Sequence, residues 1–91
     1  RELPNIRLTS LNLRYNSIGD EGAKAIAREL SNTRLTSLDL HRNHIGDEGV
    51  QEIVMKLSNT KLKQLDLSGN GSWNLEKILE KMIPPGIHVI L

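Results

Sequence analysis

Three histidines, two aspartates 27 residues apart and a tyrosine with arginines nearby are the side chains of this 91-residue sequence best suited to chemistry. His41, His44 and His88 carry imidazoles, which bind metals or move protons near neutral pH. His41 and His44 stand three apart across Asn43, so their side chains diverge at the turn expected there, and His88 lies far downstream. They do not read as a metal site. Asp39 and Asp66 could act as an acid–base pair or hold a cation, because neighbouring carboxylates can raise one another's pKa. No Ser-His-Asp set converges on a pocket that the sequence identifies. The glycines form no phosphate-binding motif. There is no cysteine, which excludes a thiolate nucleophile, a cysteine-ligated zinc module and a disulfide scaffold. The expectation is therefore no catalytic residue, no cofactor and no metal: the chain is not an enzyme.

Charge narrows the choice of partner. Lys plus Arg is 12 and Asp plus Glu is 11, for a net charge of +1. Residues 1–45 hold seven basic and five acidic side chains, and residues 46–91 hold five and six. Neither half is a footprint for a phosphate backbone, so nucleic acid and anionic membrane surfaces fit poorly. No small-molecule substrate is evident. No apolar run is long enough to span a membrane, and no signal peptide is visible. The lack of cysteine leans towards a reducing, cytoplasmic compartment, with a secreted effector acting in a host cytosol as the alternative.

The elements that must position these side chains repeat. LTSLNLRYNSIGDEGAKAIARELSNTR (residues 8–34) aligns with LTSLDLHRNHIGDEGVQEIVMKLSNTK (residues 35–61), with 16 of 27 positions identical. LKQLDLSGN (residues 62–70) begins a third copy, shortened by two. That alignment puts Leu75, Ile78 and Met82 where Ala23, Ile26 and Leu30 stand, and leaves Trp73 to fill the space of Ile18 and Ile45. RELPNIR (residues 1–7) matches RELSNTR (residues 28–34), so the chain opens on the tail of an earlier unit. IHVIL (residues 87–91) echoes LTSLN as a closing strand. The expected division is one domain over residues 1–91: a tail (1–7), repeats 8–34 and 35–61, a shortened repeat (62–86) and a terminal strand (87–91). It reads as a fragment of a longer array.

Within a unit, Leu11 and Leu13, Leu38 and Leu40, and Leu65 and Leu67 alternate with the two-residue period of a strand. Asn16, Asn43 and Asn70 follow at the turn, where an amide carries both the donor and the acceptor needed to satisfy stacked backbone. Asn70 also heads an Asn-Gly-Ser glycosylation triplet, but a ladder role would occupy its amide inside the turn. A helix follows. Asp20 and Asp47 are expected to cap it, Glu21 and Glu48 complement its positive end, and Ile26/Leu30 and Ile53/Leu57 share its inner face. Asn32 and Asn59 are expected as left-handed C-terminal caps. Gly22 and Gly49 sit in the first helical turn against propensity, which points to close approach of a neighbouring coil. One strand and one helix cannot bury their apolar sides alone, so the units stack, strands in a parallel sheet and helices opposite.

The pattern L-x-x-L-x-L-x-x-N-x-I-G-x-x-G-x-x-x-I-x-x-x-L resembles the leucine-rich repeat. Its length and helical half are similar to the ribonuclease-inhibitor-like class, and I-G-D-E-G-A is similar to repeats of NOD-like receptors and the Ran GTPase-activating protein. The resemblance implies an α/β solenoid, a right-handed β-α superhelix with parallel strands on the concave face and helices on the convex face. It also implies a protein-protein interaction module without chemistry of its own.

The strand positions that are not leucine then form columns on the concave face. The 27-residue offset gives Ser10, Ser37, Gln64 and Val89; Asn12, Asp39 and Asp66; Arg14, His41 and Ser68; and Tyr15, Arg42 and Gly69. Tyr and Arg are enriched where proteins bind one another. The expected partner-binding residues are Asn12, Arg14, Tyr15, Asp39, His41, Arg42 and Asp66, and the expected partner is a protein. Asp39 and Asp66 would stand on strands ~4.8 Å apart. Three outcomes are open: neutralisation by Arg14, His41, Arg42 or Lys63, waiting for a basic partner, or cation and acid–base chemistry. The alternative function is recognition within a larger GTPase activator, E3 ligase or bacterial effector whose chemistry lies outside this chain.

Overall fold

A computed structural model describes residues 9–71 and 80–91. Three-residue strands alternate with helices: β1 (Ser10–Asn12), α1 (Gly19–Leu30), β2 (Ser37–Asp39), α2 (Asp47–Lys56), a 3-10 turn (Leu57–Asn59), β3 (Gln64–Asp66) and β4 (His88–Ile90). All neighbouring strands pair in parallel, in the order β1-β2-β3-β4. Ser10, Ser37 and Gln64 align, as do Leu11, Leu38 and Leu65. The 27-residue phase is thus the register of the sheet.

The leucines of the alternating pattern point into the layer between sheet and helices. Leu38, Leu40, Leu65 and Leu67 are buried there with Ala23, Ala27, Leu30, Val50, Ile53, Val54 and Leu57. Burying a side chain of this size contributes ~1.5–3 kcal/mol. Small and β-branched residues let α1 and α2 lie side by side: Ala23 and Ala27 meet a helix whose inner face is Val50, Ile53 and Val54.

The helix ends differ from expectation. No side chain within its own first turn caps α1 or α2. The Asp20 carboxylate crosses to the next repeat instead, where Oδ1 accepts the N–H of Gly46 at 2.7 Å and of Gly49 at 3.0 Å. A carboxylate on the positive end of α2 satisfies two otherwise orphaned donors. Gly49 permits the approach, because a Cβ there would lie 2.7 Å from Asp20 Oδ1 and 3.0 Å from the Ala23 Cβ. At Gly22 the neighbour is Ile18 of the same turn. Asn32 and Asn59 are not left-handed. Instead the hydroxyls of Thr33 and Thr60 donate to the carbonyls of Leu30 and Leu57 at 2.8 Å, closing both helices without a left-handed residue. Lys24 links the helices on the outside, 3.1 Å from Glu48 and 3.7 Å from Glu21. The hydrogen bond that Lys24 donates to Glu48 is the first cause that holds its pKa above the ordinary lysine value.

The closing strand is one residue out of the expected phase. His88, not Val89, stands beside Gln64, and Val89 stands beside Leu65. Ile87, Val89 and Leu91 pack against the core, so the alternation of apolar side chains overrode the alignment of IHVIL with LTSLN. Met82, expected at the place of Leu30, is 37% exposed where Leu30 is 1% exposed. Arg1–Arg7, Trp73, Leu75 and Ile78 lie outside the described residues.

Candidate functional site

The second column ends each strand in the same way. Asn12 Oδ1 accepts the N–H of Arg14 at 3.0 Å, Asp39 Oδ1 that of His41 at 3.0 Å, and Asp66 Oδ1 that of Ser68 at 2.9 Å. An Asx side chain closing on the amide two residues ahead turns the backbone out of the strand. One oxygen at each position is thereby engaged in structure.

Asp39 and Asp66 are direct neighbours in the sheet. They are separated chemically by different partners. Asp39 Oδ2 lies 3.4 Å from Arg14 Nε, a diagonal ion pair, which is one of the three outcomes open for these carboxylates. Asp66 Oδ1 accepts the Ser68 hydroxyl at 2.6 Å, and Ser68 Oγ lies 2.7 Å from His41 Nδ1. A serine hydroxyl has one proton, and here it goes to Asp66, so His41 Nδ1 donates to Ser68. Histidine, serine and aspartate do come together, but in the wrong order for nucleophilic catalysis: His41 is a donor to the hydroxyl and not its base. Among the described residues no three His, Asp or Glu side chains converge to hold a metal ion.

The asparagine ladder lies at the turn. Asn43 is fully buried. Its Oδ1 accepts the N–H of Asn16 at 2.8 Å, and its Nδ2 donates to Leu13 O at 2.8 Å and His41 O at 3.3 Å. Asn70 repeats this one coil on, accepting from Asn43 N at 2.8 Å and Ile45 N at 3.0 Å and donating to Leu40 O and Leu67 O. Its amide is therefore occupied within the turn, as the ladder requires and as a glycan acceptor is not. The ladder also fixes the fourth column. Consecutive N–H groups of a strand point in opposite directions. Tyr15 N–H nevertheless reaches His41 O at 3.1 Å while Asn16 N–H reaches Asn43 Oδ1, and Arg42 N–H reaches Ser68 O while Asn43 N–H reaches Asn70 Oδ1. Both donors face the next coil because Tyr15 (φ 60°), Arg42 (φ 55°) and Gly69 (φ 75°) are left-handed.

Tyr15 is 64% exposed. Its ring meets the His41 ring edge-on with centroids 5.5 Å apart, and Arg14 Cζ stands 5.9 Å from its centroid. Arg14, Tyr15, His41 and Asp39 thus form one connected group on the strand side.

The Leucine Rich repeat family matches residues 5–27, 31–54 and 58–71, about two thirds of the chain. The chain is a leucine-rich repeat protein. Comparison with curated proteins finds no match. Leucine-rich repeats are generally protein-protein interaction modules and typically lack catalysis. Among the described residues no helix is long and apolar enough to cross a membrane.

Within this leucine-rich repeat the structure brings Asn12, Asp39 and Asp66 into one row and gathers Arg14, Tyr15 and His41 above them. Arg42 stands apart from that group. It lines a concavity of about 310 Å³ with Tyr15, Ser17, His44 and Gly69. Ser17 and His44 are absent from the residues expected of a site, yet they form their own 27-residue column two positions beyond Tyr15 and Arg42 and share their left-handed backbone, at φ 53° and 59°.

Proposed function

We propose that this leucine-rich repeat binds a protein partner through the strand face, with Asn12, Arg14, Tyr15, Asp39, His41, Arg42 and Asp66 as the contact residues. The observation that carries the reading is Tyr15, an exposed aromatic ring framed by Arg14 and His41 at the end of a strand. Rings and guanidinium groups held in place before contact lose little entropy on binding, which is why they dominate interface energetics. Asp66 uses one oxygen for both of its bonds to Ser68, so its Oδ2 adds an acceptor for a donor on the partner. The ribonuclease-inhibitor-like class, with repeats similar to those of NOD-like receptors and the Ran GTPase-activating protein, supplies the corresponding picture of a cytoplasmic binding array. A larger regulator or enzyme that uses these repeats for recognition is the second reading.

Affinity capture tests it. The wild-type chain should retain specific proteins that an Arg14→Ala/Arg42→Ala double variant loses and that Lys56→Ala, on the exposed side of α2, keeps. Retention of every partner by a folded double variant sinks the strand-face reading.

A further inference from the structure

The strand-side surface contains one recess whose polar character is one-sided. It lies beside the turns rather than over the strands, with a volume of about 310 Å³, and is lined by Tyr15, Ser17, Arg42, His44 and Gly69. Arg42 is its permanent cation, and no carboxylate lines it. The two nearest acidic side chains along the sheet are committed elsewhere: Asp39 to Arg14 and the His41 N–H, Asp66 to Ser68. Among the described residues Arg42 makes no ion pair.

The backbone adds a second observation. The ladder requires left-handed residues at the turn, but it does not require tyrosine, serine, arginine or histidine there. Glycine or asparagine adopts that geometry at the lowest cost. The third repeat uses glycine: Gly69 has φ 75° and leaves room for the Arg42 stem, since a Cβ at 69 would lie 2.5 Å from Arg42 Cγ. In the two preceding repeats four left-handed positions carry four residues with polar side-chain tips, and all four line one recess. Strain of this kind persists where the side chain is needed for something other than the turn.

We propose that this recess receives a carboxylate side chain from an acidic segment of the protein partner. The inference rests on the protein-binding reading above and names the chemistry of one contact within it. Arg42 supplies the charge-assisted bonds, the Ser17 and Tyr15 hydroxyls and the His44 ring supply further donors, and the Tyr15 ring walls the aliphatic stem. The volume sits at the lower end of ligand-sized cavities, which suits a single side chain.

Titration of the isotope-labelled 91-residue chain with a short alternating Glu-Ser peptide, followed by amide NMR, tests the proposal. Signals of residues 15–17 and 42–44 should shift, the shifts should fade as salt is raised, and a Gln-Ser peptide should leave them in place. Arg42→Gly removes the cation and relieves the left-handed strain together. It should weaken the Glu peptide roughly tenfold or more while the melting temperature holds or rises. Equal shifts with the Gln peptide, unmoved turn signals, or undiminished binding by Arg42→Gly overturns it. So does a phosphoserine peptide that shifts the turn signals when the Glu peptide does not. Shifts confined to residues 12, 14, 39 and 41 would overturn this contact and leave the strand-face reading standing.

Discussion

Repeats 8–34 and 35–61 share most of their sequence, yet the structure treats equivalent residues differently. Leu38 and Leu40 are 1% and 0% exposed, whereas Leu11 and Leu13 are half-buried. Ile45 is 1% exposed and Ile18 is half-buried. Asn43 is fully buried and Asn16 is exposed. The second repeat has described coils packed on both sides and the first on one. Burial in a stack is set by neighbours rather than by the residue's own repeat, so identical letters do unequal work.

That contrast can be broken by paired substitutions read out by urea denaturation. Leu40→Ala should cost about 3–4 kcal/mol, because a filled layer leaves a cavity, and Leu13→Ala about half as much. If the two costs proved equal, position in the stack would not govern burial. Asn43→Ala comes next, at about 3 kcal/mol, since it takes the acceptor from the Asn16 N–H inside the turn and empties a fully buried position. Asn16→Ala, whose amide bonds Leu13 O and Arg14 O at the surface, should cost about 1 kcal/mol. Asp20→Ala should cost about 1–2 kcal/mol by uncapping α2, and the exposed Asp47→Ala less than about 0.5 kcal/mol. An Asp20 effect that persists when α2 is already unfolded would place its action elsewhere.

Lys24→Met gives the smallest change and sharpens the helix-side part of the contrast. Its raised pKa means that the folded state holds the proton more tightly than the unfolded chain. The stabilisation is fully present below the ordinary lysine value and is lost as pH rises through the higher folded value. Wild type should therefore keep its advantage over Lys24→Met up to the ordinary lysine value of 10.5 and lose it as the solution becomes more alkaline than that. A constant difference across that range would remove the charge from the explanation.

Much of this architecture was legible in the residues. The period-two leucines gave the strands, the spacing of Ile26/Leu30 and Ile53/Leu57 gave the helix faces, and the 27-residue recurrence of asparagine gave the ladder. The rest acts between repeats or depends on backbone geometry. Asp20 looked like a cap for its own helix because first-turn acids commonly are. Its reach to Gly46 and Gly49 follows only once the coils are stacked, at sequence separations of 26 and 29. The phase of β4 depended on which alternate residues could face the core, and Ile87, Val89 and Leu91 decided it over a weaker alignment. The columns on the strands were readable, because the 27-residue offset is the register of the sheet. The column of Ser17 and His44 was not legible, because nothing in residue type alone marks a left-handed turn filled by serine and histidine.

We propose that the strand side, not the helix side, is the working surface. Cross-saturation NMR on the labelled chain with a captured partner measures this directly, since saturation passes only to protons at the contact. Intensity should be lost at residues 12, 14, 15, 39, 41 and 42, with α1 and α2 unaffected. Loss concentrated on the outer sides of α1 and α2, with those six signals intact, would contradict it.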